Sequence, residues 1–183
     1  HILIYSLARP HEIMGSMTLV YLIRELASNP LLQQQLDCTW HLILGLDPES
    51  AKLNEGWYKA PLTLTNFFSS YYDPPISQHP LWSFPSDDRL DTQTNLPPGT
   101  VALVHLLHEY PFDVVIGLRQ PIFGEAHYTF SKDLPGIYPM LKRIISLTGF
   151  PIDQDPSDLC TLPAKLDEGI YAPAYLKDCN GVE

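Results

Sequence analysis

The sequence predicts an α/β domain, spanning residues 1–183, with a single mixed β-sheet and helices on its faces. Short apolar runs at Ile2 to Ser6, Thr39 to Leu46 and Phe112 to Leu118 read as buried strands. Segments of helical period, Glu12 to Ala27 and Val101 to Tyr110, fall between them, an order that calls for parallel strands joined by crossovers. With 183 residues, 45% of them hydrophobic, the chain is large enough to bury one sizeable core.

In the first helix Ile13, Met17, Val20 and Tyr21 recur at helical spacing, and Asn29-Pro30 stops it. A second short helix is expected at Leu31 to Leu36. From Asp47 to Pro98 the pattern breaks into an irregular stretch of prolines and aromatics, expected to be one long loop. Its aromatic residues from Trp57 to Phe84 are either a binding surface or the packing that holds such a loop down. Gly99-Thr100 leads into the helix at Val101, Ala126 to Phe130 alternates like a neighbouring strand, and Leu134 to Gly149 carries Tyr138, Leu141, Ile144 and Ile145 on one helical face. The remaining tail breaks up into loops.

Eleven Lys and Arg against twenty-one Asp and Glu give a formal charge of −10, without a basic stripe, which argues against nucleic acid as a partner. No apolar run reaches the roughly 18 residues of a membrane span, and His1 to Tyr5 has neither the basic start nor the length of a signal peptide. The expectation is a soluble, unanchored, cytoplasmic chain; whether His1 is the natural N-terminus stays open, because a strand already begins at Ile2. Cys38, Cys160 and Cys179 are odd in number and lack C-x-x-C spacing, which fits neither a disulfide framework nor a thiolate zinc site.

Three segments carry a family likeness: Pro10-His11-Glu12-Ile13-Met14-Gly15-Ser16, then Asp47-Pro48-Glu49-Ser50-Ala51-Lys52-Leu53-Asn54-Glu55-Gly56-Trp57, then Phe123-Gly124 after a strand. In order and spacing they resemble a bacterial branch of the zinc carboxypeptidases, which implies a truncated carboxypeptidase-like fold. In that family an H-x-x-E pair binds zinc at the first segment and a second histidine ends the strand before Phe-Gly. Pro10 and Glu12 fall on the motif's proline and glutamate, so Arg9 stands at the first histidine and Arg119 at the second. Lys52 stands where the branch has arginine, while Asn54, Glu55, Gly56 and Trp57 are kept. No convincing counterpart of the family's catalytic glutamate follows Arg119.

Arginine removes the old chemistry. A guanidinium has five donors, no lone pair to give and a pKa above about 12, so it cannot ligate a cation. Catalytic zinc needs neutral or anionic ligands and one open position. The expectation is therefore a pseudoenzyme with no cofactor and no metal. The same residues favour anions: Arg9, Arg119 and Lys52 around Glu12 would suit a carboxylate, which the family's cleft recognises at a peptide's C-terminus. Arg9 and Arg119 paired with Glu12 as a ligand-free plug is the competing outcome.

The expected function is a non-catalytic peptide-binding protein, with Arg9, Glu12, Lys52, Asn54 and Arg119 as peptide-binding residues and Trp57, Tyr58 and Phe123 as aromatic support. The chain also resembles the truncated carboxypeptidase-like proteins of crocagin-type pathways. That resemblance implies a ribosomal precursor peptide and tailoring enzymes as partners. Two alternatives stay open: a structural or regulatory subunit of another enzyme, and a metal-independent enzyme using Glu12 as acid or base. An exposed sheet edge would take an added peptide strand or a second protomer. Of the histidines, His105 and His108 at i, i+3 read as a solvated helix face, His127 as a satisfied sheet residue, and His11 as pointing away from Glu12. The resemblance further implies that Tyr171 covers the cleft, as a tail tyrosine does in the family.

Overall fold

In a computed structural model, residues 1–61, 63–81, 95–120, 125–154 and 164–172 are described. The chain divides into two compact units, His1–Gln120 and Pro121–Glu183.

The first unit is built on β1 (Ile2–Tyr5), whose apolar run ILIY reflects its place in the middle of a three-stranded parallel sheet of order β2-β1-β3. α1 (Ile13–Ser28) and α2 (Pro30–Leu36) make the crossover to β2 (Trp40–Ile43), and α6 (Pro98–Glu109) leads to β3 (Val114–Gly117). Leu3 pairs with His41 on one side and Val115 on the other. One face of the sheet is covered through Leu3, Ala8, Leu46 and Leu103 of α6, with Tyr5, Ile43, Leu106, Leu107 and Phe112 packed around them. At the carboxyl end of β1, Ser6 meets the start of α1 instead: a Cβ on Gly15 would lie 2.9 Å from Ser6 Cβ.

The stretch from Asp47 to Pro98 is not one long loop. Among its described residues lie α3 (Pro48–Leu53), α4 (Glu55–Lys59), α5 (Leu64–Ser70) and a 3₁₀ turn at Ile76–Gln78. Caps account for α3 and α5: Asp47 accepts from Ser50 N at 3.0 Å ahead of Pro48 at the first helical position, and Thr63 accepts from Asn66 N at 3.1 Å. Phe84 and the rest of 82–94 lie outside the described residues.

The second unit overturns the expectation of one sheet. β4 (Tyr128–Thr129), β5 (Ala164–Asp167) and β6 (Ile170–Ala172) form a separate three-stranded sheet of order β4-β6-β5. β5 and β6 pair antiparallel across a turn at Glu168-Gly169, where Gly169 has φ +66°, a local hairpin that supplies β4 with its partner. Of this sheet only Ala126 to Phe130 was expected as a strand; the tail expected to be loops supplies β5 and β6, and alternation at β4 marks a strand without naming its neighbour. A 3₁₀ turn at Pro135–Ile137 runs into α7 (Tyr138–Thr148). No helix among the described residues is long and apolar enough to cross a membrane.

The start of α6 is a tight joint. A Cβ on Gly99 would stand 2.2 Å from the carbonyl oxygen of Leu46, on the backbone that carries the loop after β2. Gly99→Ala is expected to destabilise the protein by about 2 kcal/mol in urea unfolding. Gly136→Ala, where a Cβ meets nothing within 4 Å, should change stability by less than about 0.5 kcal/mol.

Candidate functional site

Parallel strands deliver their carboxyl ends to the same side, and in open α/β sheets that side is where ligands bind. Here the chain leaves β1 as Ser6 to Glu12, β2 as Leu44 to Asp47 and β3 as Leu118 to Gln120. The ladder continues into these exits through Ser6 N to Ile43 O (3.1 Å), Leu46 N to Ser6 O (3.1 Å) and Leu118 N to Tyr5 O (2.9 Å). Ser6 and Ser16 both donate to Leu44 O, at 2.8 and 2.6 Å, fixing the start of α1 over the strand ends. Leu7, at φ 52°, takes the sharp turn between β1 and the Arg9 loop.

Glu12 is the centre of the arrangement. Its carboxylate is buried, accepting from Arg9 N at 3.0 Å on Oε2 and from Arg119 Nε at 2.6 Å on Oε1, with Gln120 N at 3.5 Å. Three donors from two strand exits thus meet on one anion. Arg119 gives Glu12 only its Nε; among the described residues no acceptor takes its two terminal nitrogens, and its side chain is 41% exposed. Gln120 also accepts from Met14 N through Oε1 at 3.2 Å and from His11 through its carbonyl, so it ties the end of β3 to the first turn of α1.

His11 is buried and makes no hydrogen bond to Glu12 among the described residues. Its Nε2 lies 3.1 Å from Gln120 O, an atom that can only accept, so Nε2 carries the proton and Nδ1 is left to accept from Tyr71 OH at 3.4 Å. Burial holds its pKa below the ordinary 6.5, while Glu12 pulls the other way; Arg9 and Asp73 also act on it. Burial likewise pushes the Tyr71 hydroxyl up to about 12, helped by Asp73 and opposed by Arg9, which keeps it a neutral donor. Tyr71 was marked only as one of the aromatics between Trp57 and Phe84, and Gln120 carried no signal, because each acquires its role through partners more than 50 residues away.

The remaining expected residues divide. Asn54 is fully buried and its amide is saturated: Nδ2 donates to Ser50 O (3.0 Å) and Tyr72 O (2.9 Å), and Oδ1 accepts from Trp57 Nε1 (2.8 Å) and Tyr72 N (3.0 Å). It is a staple between α3, α4 and the chain after α5, with no capacity left for a peptide. Trp57 is buried beside it, edge-on to Tyr58 and Phe67 at ring separations of 4.3 and 4.9 Å. Tyr58 keeps its hydroxyl buried without a hydrogen-bond partner among the described residues, and burial, Tyr71 and Glu12 all raise its pKa. Lys52 is exposed on α3, and no hydrogen bond or ion pair joins it to Glu12 or either arginine among the described residues. Phe123 lies outside the described residues.

In the second unit Tyr171 donates to Asp153 O at 3.0 Å and His127 Nδ1 lies 3.4 Å from Asp153 Oδ2. His105 and His108 are exposed on α6. The donor set around Glu12 does not fit a zinc ion: both arginines lack lone pairs, both oxygens of Glu12 accept from protein donors, and His11 Nε2 is committed to Gln120. Among the described residues no group of three or more His, Cys, Asp or Glu is placed to hold a metal.

Two outcomes are expected. Asn54→Ala strands two backbone carbonyls, a backbone N–H and an indole N–H, and should cost about 3 kcal/mol in urea unfolding. For His11, the folded state favours the neutral ring, so the unfolded chain gains a proton first as pH falls below 6.5. Its share of stability is therefore complete above that value and is lost as pH falls toward the folded-state pKa. His11→Gln, which keeps a donor for Gln120 O, should flatten the decline in unfolding free energy between about pH 7 and about pH 5.

Comparison of the chain with models of known families, with curated proteins and with solved structures found no match in any of the three.

Proposed function

We propose that the protein is a non-catalytic peptide-binding protein and that the carboxyl ends of β1 to β3 receive a peptide carboxylate. The single observation that carries this reading is Arg119. Its Nε is held by a buried carboxylate, which restrains the plane of the guanidinium, while the side chain is partly exposed and its terminal nitrogens lack acceptors among the described residues. A pre-oriented guanidinium with its terminal fork open is suited to bidentate capture of a carboxylate. Glu12 is poorly placed as an acid or base, being enclosed and already accepting from Arg9 N and Arg119. The motif likeness to carboxypeptidases supports the peptide as ligand class, and the likeness to crocagin-type pathway proteins supports a ribosomal precursor peptide presented to tailoring enzymes. Of the residues expected from sequence, Arg119, Glu12 and Arg9 stay in the binding set, with Glu12 positioning Arg119.

The test is calorimetric titration with peptides recovered from a library displaying free C-termini. Binders should weaken about tenfold or more when their C-terminus is amidated, and Arg119→Gln, which keeps one donor for Glu12, should remove the difference between acid and amide. Stoichiometric zinc in the purified protein, or equal binding of acid and amide, would overturn the reading.

A further inference from the structure

β3 is an edge strand of unusual character. Apolar strands in a parallel sheet are normally enclosed on both faces, and the run Phe112 to Leu118 was expected to be buried. Instead Val114, Val115 and Ile116 are 46%, 46% and 39% exposed. These residues alternate across the pleat, so both faces of the strand are open. On its inner side β3 pairs with β1 from Val114 to Gly117, and among the described residues no strand pairs with its outer side. An outer edge presents alternate N–H and C=O groups that need an extended partner. Neither a charged side chain nor a proline within β3 blocks such a partner.

The edge runs directly into Arg119, two residues past the end of β3. This placement gives the strand a polarity for any occupant. A peptide lying parallel to β3 brings its C-terminal carboxylate to the terminal nitrogens of Arg119. One lying antiparallel brings an ammonium or an uncharged mid-chain segment to the same cation.

We infer that the ligand binds as a fourth strand on the outer edge of β3, parallel to it, with an extended C-terminal segment of apolar, β-branched character and its carboxylate on Arg119. This rests on the peptide-binding reading above and adds the mode, the direction and the side-chain class. Backbone pairing along Val114 to Gly117 supplies affinity for any extended peptide. The open apolar faces select β-branched or aromatic residues at alternating positions, and Arg119 fixes the register by anchoring the end.

The experiment uses the full chain and hexapeptides with free C-termini recovered from the same library. Each binder is remade in two backbone N-methylated forms, one methylated at alternate residues and the other at the residues between. A strand on β3 turns only alternate N–H groups toward the edge. One form should therefore lose about tenfold or more in affinity and the other little, and hydrogen exchange at the amides of Val114 to Gly117 should slow on binding. Binders that need a free carboxylate but tolerate both methylated forms, or lose equally with both, overturn the strand and leave the carboxylate reading standing. A library without binders overturns both. A peptide-free dimer in which the β3 amides are already protected shows that a second copy occupies the edge and overturns the inference.

Discussion

A carboxylate removed from water must be met by donors, and the cost of leaving it unmet is several kcal/mol. Glu12 imposes that requirement on this fold. Its two oxygens draw the Arg9 backbone from the loop after β1, and the Arg119 side chain and Gln120 backbone from the exit of β3. The ends of two strands and the first turn of α1 are thereby held in one place, with Gln120 returning bonds to His11 and Met14. Because these bonds come from backbone and side chain alike, the loop after β1 has little freedom to open. The positive φ at Leu7 is held separately, by the exit of β2, where Asp47 N donates to Leu7 O at 3.1 Å.

The same requirement sets the character of the site. Glu12 faces inward and is enclosed, so the group that meets solvent is the far side of Arg119. A half-exposed arginine whose plane is fixed from behind costs a ligand less ordering entropy than a free one. Next to it His11 and Tyr71 form a second, neutral layer. Burial keeps the ring unprotonated and the phenol undissociated, so neither adds charge beside the arginines at neutral pH. Asn54 supports the region from a distance. Its four bonds pin α3 and α4 to the chain that carries Tyr71, which is how Asn54 shapes the site without facing it.

Much of the secondary structure was legible. The period of Ile13, Met17, Val20 and Tyr21 places α1 within a residue of its observed bounds, and Asn29-Pro30 divides it from α2. The short helices α3 and α5 were missed: the density of prolines and aromatics from Asp47 to Pro98 read as loop and hid the caps at Asp47-Pro48 and Thr63. The pair Trp57 and Asn54 was visible as a motif. Its role was not, because a saturated amide and a ligand-binding amide have the same sequence.

The sequence by itself determined the residue types: arginine at positions 9 and 119, a glutamate at 12, an acidic chain without a basic stripe, and three apolar strands separated by helices. Those follow from chemistry that each side chain carries wherever it sits, such as the lack of a lone pair on guanidinium. Only the tertiary structure decided that β3 lies at an edge with its faces open, that the later strands make their own sheet, and that Arg119 gives Glu12 only its Nε. These depend on which segments neighbour one another across a hundred residues. Strand pairing and burial are properties of the assembled packing, and a local pattern of apolar residues is the same for an enclosed strand and an open one.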